Sequence, residues 1–481
     1  MKDLAQLALD EAVAAGAGYA DARAVLEEGE SLSVQDDRVE GVERSTTRGV
    51  GVRVLVGGSW GFAGTARLDR EHVLSAARQA VVIAKASATA QRRAVRLAPV
   101  QVATGSYTTP HTTDPFDVGI DDKLELLLAA AAAAHGEPKL SLAKASFDAW
   151  RTTKWFVSSE GADLQQTLLQ LAGGVECIAV GDGEVQVRSY PNSFRGYCAT
   201  GGWEDIVALD LVAQAQQHAE QAVALLDAPY LPPQTGTLVL NANQVALQIH
   251  ESVGHPLELD RILGYEAAYA GTSWVGIGDV GSLRYGSDQV NLTVDTTTDK
   301  GLGTYGWDDE GVPAGRHPLV VEGILRDFLT SRETAPHVDD QTRSNGTMRA
   351  DSWGTIPLIR MTNINLEPGS GSLEQLLDEA GDGVYMSTNK SWSIDDKRLN
   401  FQFGCEVAYD IRGGKLGQMY RNPTYTGRTP VFWGSCDGIA GPQHWQVYGT
   451  PNCGKGEPGQ VARVSHGAAP ARFRDVQMGV R

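Results

Sequence analysis

The sequence predicts an α+β protein: a mixed α/β N-terminal domain, residues 1–228, followed by a mostly antiparallel β C-terminal domain, residues 229–481. Three observations lead there. The first half alternates helix-period and strand-period segments, whereas the second holds short strands separated by Gly, Asn and Asp. Pro229, Pro232 and Pro233 mark the change of texture. The chain also carries 55 glycines in 481 residues, about 11% against a usual value of roughly 7%, which points to many tight turns.

The elements follow in order. Leu4, Leu7, Ala8, Glu11, Ala12 and Ala15 share one face of a short amphipathic helix. Ala20 to Glu27 and Ser31 to Gln35 read as two short strands. Gly49 to Val56 is a period-2 run that turns at Gly57-Gly58 into Ser59 to Thr65, a β-hairpin. A helix capped by Asp69 runs to about Ala88. Residues 97–120 form an ordered connector, Asp121 to His135 a helix, and 141–158 and 164–190 strands. A long helix spans Trp203 to Leu226. Beyond the prolines, helices start near Asn243 and Ser372, and the strands include 236–241, 291–297, 317–329 and 405–420.

Composition narrows the function. Lys+Arg 41 against Asp+Glu 59 gives a net charge of -18, the wrong sign for a partner such as nucleic acid or an anionic membrane surface. Asp3, Asp10 and Glu11 interrupt any secretory apolar segment at the start. Leu124 to Ala134 is too short to span a bilayer. Five cysteines, an odd number with no CxxC pair, suit reduced thiols, so a soluble, cytoplasmic protein is expected.

The segment Val245 to Asp260 carries the chemistry. His250, Glu251 and His255 form an H-E-x-x-x-H pattern. Two imidazoles and a carboxylate suit a hydrolytic zinc site, where the histidines bind metal and the Glu takes a proton from water acidified to a pKa of about 7. The common spacing is one residue shorter. On a regular helix, i and i+5 lie about 140° apart, against about 40° for i and i+4. Gly254 with an unusual φ and Pro256, which disfavours an α conformation at His255, are expected to end the helix and let His255 swing back. A π-bulge would serve as well. The alternative is two histidines at a helix end, one of them capping carbonyls, beside a solvated Glu251.

A third ligand is needed. Local candidates are Glu258, Asp260 and Glu266; remote ones are His317, His337, His444, His466 and the cysteines. Cys453 is best placed among these, in the loop Pro-Asn-Cys-Gly-Lys-Gly, though a lone Cys also suits a small core position.

Taken together, VGVRVLVGGSWGFAGT (50–65), TDPFDV (113–118), HESVGHPLELD (250–260), DDEGVPAGRHPLVVEGILRDFL (308–329), RMTNINLEPGSGSLEQLL (360–377) and NCGKGEPGQ (452–460) resemble the TldD/PmbA family of zinc metallopeptidases, specifically its metal-binding TldD branch. The resemblance covers essentially the whole chain. It implies zinc ligands at His250, His255 and Cys453, with Glu251 as catalytic base. It also implies a two-protomer assembly, either a homodimer or a heterodimer with a related non-catalytic subunit. The implied substrates are unfolded or small peptides, including leader segments of modified peptides. A non-catalytic peptide-binding subunit and a zinc amidase acting on small molecules are the rival functions. One departure is visible: STNKSWSIDDKRLNFQFG (387–404) stands where relatives carry a glycine-rich run, which bears on the substrate channel. Elsewhere, Asp308-Asp309-Glu310 is expected to be a solvated turn. Trp353, Trp392 and Trp433 are expected to pack a sheet core.

Overall fold

Alternating residues 19–65 build a three-stranded antiparallel meander that anchors the N-terminal sheet. The computed structural model of the chain describes residues 1–181, 183–193, 195–339 and 342–480. Tyr19–Gln35, Arg38–Val56 and Ser59–Thr65 pair in succession, the last turn made at Gly57 and Gly58 with positive φ. The two short strands expected over 20–35 are one strand of 17 residues. Its middle, residues 26–30, is paired with 44–48 on one side and 149–153 on the other, so the intervening glycine and glutamates are held in register.

The sheet continues through Leu142–Ser158 and Asp163–Gly181, both antiparallel. The connector over 97–120 supplies one more strand, Thr104–Thr108, parallel to Asp163–Gly181. Asp69 caps the helix Arg70–Ser87 by accepting the His72 N–H. The single helix expected over 203–226 is two, Trp203–Val207 and Leu211–Asp227. Asp210 between them adopts a left-handed conformation at φ 50, which Asp tolerates.

Strand alternation explains how this sheet is used. Ala20, Ala22, Ala24, Leu32 and Val34 lie on one face, buried beneath the helices Lys2–Ala14, Arg70–Ser87, Ile120–Ala134 and Leu211–Asp227. The opposite face carries Asp21 and Arg23, which are also buried, against the C-terminal half.

In that half the strands Gly383–Ile394, Gln234–Leu240, Ala471–Met478, Thr424–Arg428 and Asn400–Arg412 pair in that order, and the first and last also pair with each other, closing a five-stranded ring. One pair, Gly383–Ile394 with Gln234–Leu240, is parallel and the rest are antiparallel. Phe401, Phe403, Tyr425, Phe432, Trp433 and Phe473 stack edge-to-face and offset in the core of this half. Trp433 is thus a core residue as expected. Trp353 instead lies across Gly49 and Gly51 of the other half, where any Cβ would overlap it. Trp392 is about half exposed on Gly383–Ile394 and not a core residue.

The acidic triplet is not a solvated turn. Asp308, Asp309 and Glu310 are all buried. Asp309 bridges Lys154 at 2.5 Å and Arg23 at 3.5 Å, and Glu310 meets Arg53 at 3.1 Å, which also pairs with Asp21 at 2.7 Å. The turn plugs the charged face of the first sheet, and its partners lie more than 150 residues away in sequence. Asp308 accepts the N–H groups of Glu310, Val312 and Met348, yet burial and then Glu310 push its carboxyl up to about 8.

Removing one member of such a cluster leaves uncompensated buried charge. Asp309→Ala is expected to destabilise the fold by about 3–5 kcal/mol, read as a lower midpoint in denaturant unfolding. A shift below about 1 kcal/mol, typical of a surface pair, would show that the clamp carries little of the stability.

Candidate metal centre

The H-E-x-x-x-H segment sits at the end of a helix, Ala242–Ile249, that is buried on every side. Its polar side chains bond internally, as burial favours, with Gln244 Oε1 the exception that finds no partner among the described residues. Asn243 donates to Thr388 Oγ1 at 3.0 Å. Gln244 donates to the Tyr425 hydroxyl, and that hydroxyl donates to Gln248 Oε1, both at 3.0 Å. Gln248 and the Trp433 indole each donate to Ser252 Oγ at 2.9 Å.

The helix does not stop at Gly254. It widens into a π-turn over His250–Gly254, closed by a hydrogen bond from the His255 N–H to the His250 carbonyl. Two side-chain chemistries account for this. The Ser252 hydroxyl donates to the Gln248 carbonyl at 2.5 Å, competing for the acceptor of a regular turn. Pro256 has no N–H for the Ser252 carbonyl, which takes the Tyr285 hydroxyl instead. Gly254 keeps an ordinary helical conformation, φ -58 and ψ -63, and so does His255 at φ -60 and ψ -45. The unusual φ expected at Gly254 and the non-α conformation expected at His255 are therefore corrected, and the alternative, a π-bulge, is what occurs. Glycine is required at 254 for space, because a Cβ there would overlap the Met361 sulfur.

An i→i+5 turn brings residues five apart onto one face. His250 and His255 have ring centroids 4.9 Å apart and nearly perpendicular planes. Cys453 arrives from the hairpin Gln446–Lys455 and Gln460–Ala468. One donor atom from each of His250, His255 and Cys453 lies within 4.8 Å of the others. Cys453 Sγ is 3.8 Å from His255 Nε2, near the about 3.6 Å separating N and S ligands on a tetrahedral zinc.

Outer hydrogen bonds select which lone pairs face the centre. Ile364 O accepts from His466 Nδ1 at 3.2 Å, so His466 Nε2 is an acceptor and His250 Nδ1 donates to it at 2.8 Å. His250 Nε2 is left bare. His255 Nδ1 donates to Glu258 Oε2 at 3.1 Å, leaving its Nε2 bare towards Cys453. Burial lowers the pKa of all three histidines, favouring the neutral form a ligand needs. Burial opposes ionisation of the Cys453 thiol, yet its pKa is drawn down, by His255 and the Arg360 guanidinium together. In Cys177 and Cys436 burial pushes the thiol up to about 12, and Cys198 and Cys405 are raised as well. The residues present fit a soft divalent metal such as zinc.

The other candidates separate cleanly. Glu258, Asp260 and Glu266 surround the Lys455 ammonium at 3.2, 2.9 and 3.1 Å instead of joining the donor set. Glu258 is held well below the usual carboxylate range despite burial, chiefly by Lys455 and then by its bond to His255; burial pushes Glu266 up to about 7. His466 stands behind the donor set, bonded to His250. His317, His337 and His444 lie on other elements, outside the cluster. Glu251 is buried and bonded to Arg398 Nη1 at 2.6 Å. The sequence reading assigned no role to Lys455, Arg360 or Arg398. Lys455 was detectable, since i and i+2 of a strand share a face and place it beside Cys453. Arg360, which donates to the Cys453 carbonyl, and Arg398 gave no local signal.

A buried His–His–Cys donor set, two members from a π-turn and one from a hairpin, backed by outer hydrogen bonds, defines a candidate metal centre in an α+β scaffold. The chain belongs to the PmbA/TldA metallopeptidase family: the family's C-terminal domain matches residues 233–479, its first domain 20–84 and its central domain 113–226. It is 27% identical over 410 residues to a metalloprotease of Methanocaldococcus jannaschii, covering 85% of this chain and 86% of that protein. It is 23% identical over 247 residues to a zinc metalloprotease TldD homolog of Saccharolobus solfataricus, covering 50% and 51%. Among solved structures, a putative modulator of DNA gyrase from Thermotoga maritima matches with a TM-score of 0.78 at 15% identity, covering 99% of both chains. TldE from Thermococcus kodakarensis matches with 0.72, also at 15% identity and 99% of both. At that identity the shared property is the fold.

The His466 bond yields a test. His466→Ala is expected to weaken zinc binding about 10–100-fold in competition with a chelator, as loss of an outer partner of a metal-ligating His does. His466→Gln, able to accept from His250 and donate to Ile364 O, should recover most of it. Unchanged affinity in the Ala variant would mean that His250 needs no such orientation.

Proposed function

We propose that the chain is a zinc-dependent metallopeptidase that hydrolyses peptide bonds in unfolded or small peptides. The observation that carries this is the convergence of His250, His255 and Cys453 donor atoms within 4.8 Å, with Glu251 adjacent to the first ligand. His250 Nε2, His255 Nε2 and Cys453 Sγ would hold the metal. When bound, zinc supplies Lewis acidity that polarises a carbonyl and acidifies water. Glu251 accepts the proton of the attacking water and passes it to the leaving amine. Glu258 and His466 keep the ligand rings in orientation, and Lys455 keeps Glu258 ionised. The family's metallopeptidase description and the zinc named for the Saccharolobus relative support this assignment.

The proposal treats residues 1–228 and 229–481 as two domains, joined by the buried Asp309 and Glu310 contacts. It places the protein in the cytoplasm, in keeping with five free cysteines. No helix among the described residues is long and apolar enough to cross a membrane. We further propose a two-protomer assembly, either of this chain alone or with a TldE-like subunit, on the strength of the shared fold with the protein named TldE.

Purified protein is expected to carry about one zinc per chain, a single four-coordinate site with an open position, and to digest an unfolded-peptide library unless a chelator is added. Metal-free protein with undiminished activity would refute the mechanism. Glu251→Gln should abolish hydrolysis while retaining zinc, because the base is not a ligand. Normal cleavage by that variant would assign the base elsewhere. Cys453→Ala should lose zinc on dialysis against a weak chelator; unchanged metal content would make Cys453 a core residue only.

A further inference from the structure

The catalytic base has a cationic partner from the segment where this sequence departs from the family pattern. Gly383–Ile394 and Asn400–Arg412 are joined by a tight turn at residues 395–399. From that turn Arg398 reaches Glu251, Nη1 to Oε2 at 2.6 Å. Charge neutralisation of a buried carboxylate would account for such a pair. Three further features exceed that need. Arg398 Nε is buried and has no hydrogen-bond acceptor among the described residues. The side chain is 17% exposed against 6% for Glu251, so the pair is not sealed from solvent. And the Arg398 backbone is held in the left-handed region, φ +61, unusual for a residue other than Gly, Asn or Asp.

That backbone is pinned from several directions. Arg398 N–H donates to Asp395 O, and Leu399 N–H to Asp395 Oδ1, both at 2.8 Å. Thr429 Oγ1 donates to Arg398 O at 2.8 Å, and Thr429 N–H to Leu399 O at 2.8 Å. A second loop grips the tip: Thr272 N–H donates to Asp396 O at 3.1 Å and Trp274 N–H to Lys397 O at 2.9 Å. Fixing a long side chain this firmly gives a preorganised donor.

We propose that Arg398 is a catalytic residue that donates hydrogen bonds to the scissile carbonyl oxygen and to the oxyanion formed from it. The assignment rests on the peptidase function proposed above. In the attack, the water oxygen bonds to the carbonyl carbon, one water proton goes to Glu251, and the carbonyl π pair moves onto oxygen. The C–N bond then breaks and the amine leaves with the proton from Glu251. Arg398 transfers no proton, since a guanidinium stays protonated in proteins. It offers several N–H donors in a fixed planar fork, so one can remain on Glu251 while another meets the oxyanion. The water and the carbonyl must meet next to Glu251, which puts the carbonyl oxygen within reach of the group bonded to that carboxylate.

The test uses the zinc-loaded full chain. Removing one oxyanion donor costs about 10²–10³ in kcat, so Arg398→Ala is expected to lose that much with KM changed less than about threefold. Its zinc content should match the wild type, and added guanidinium ion should restore part of kcat. Arg398→Lys, which keeps the charge but not the fork, should stay at least about tenfold slow. As a readout separate from turnover, a phosphinic-acid peptide, whose tetrahedral anion mimics the oxyanion, should bind Arg398→Lys at least about tenfold more weakly than it binds wild type. A kcat near or above the wild-type value in Arg398→Ala, a loss confined to KM, or equal phosphinic-peptide affinity would each overturn the assignment. If wild-type protein with zinc cleaves no peptide, the peptidase function falls and takes this assignment with it. If wild type cleaves and Arg398→Ala cleaves equally, only the assignment falls.

Discussion

One backbone hydrogen bond organises the candidate centre: the His255 N–H on the His250 carbonyl, five residues back. A regular helix would turn these two imidazoles away from each other. The wider turn places their rings in contact, and it exists because local chemistry withdraws the alternatives. Ser252 competes for the Gln248 carbonyl, Pro256 brings no N–H, and Tyr285 satisfies the carbonyl that Pro256 leaves free. The helix that leads into the turn is buried all round, so it needs an internal ladder through Gln244, Tyr425, Gln248 and Trp433 to satisfy its polar groups. Loss of any rung leaves a buried polar atom next to the site, which ties the core of the C-terminal half to the geometry of its histidines.

The second constraint is electrostatic. Around the donor set sit Glu258, Asp260, Glu266, Lys455 and Arg261, and between the halves of the chain sit Asp21, Arg23, Arg53, Lys154, Asp309 and Glu310, all largely buried. Buried ions of this density are poor stabilisers compared with apolar packing of the same volume, but each is costly to leave unpaired. Their value here is positional. Lys455 fixes Glu258, which fixes the His255 ring, and Lys455 shares a strand face with Cys453. A single strand thereby contributes one donor directly and orients another through an ion pair.

Local patterns made much of this legible in advance. Period-2 runs and capping residues marked the Gly57-Gly58 hairpin and the Asp69-capped helix, because those signals are contained within a few residues. Residue type and a family resemblance single out His250, His255 and Cys453, whose donor atoms the structure brings together. Less could be read where the partner is remote. Asp308-Asp309-Glu310 looks like a surface turn until Arg23, Arg53 and Lys154 are folded against it. Gly254 and Pro256 do reshape the helix, through the π-turn and not through a break in it. Glycine answers the Met361 sulfur, and Pro256 acts through its missing N–H, neither of which needs an unusual φ. His466 and Arg398, more than 140 residues from the motif they serve, carry no signal in local sequence.

This turn and the late hairpin bring two imidazoles and one thiol together as a single mixed nitrogen–sulfur donor set. X-ray absorption at the zinc edge of the purified, metal-loaded protein measures it without reference to activity. A shell with nitrogen or oxygen scatterers near about 2.0 Å and one sulfur near about 2.3 Å is the expected result. A shell with no sulfur, or one with several, would contradict a site built from His250, His255 and Cys453.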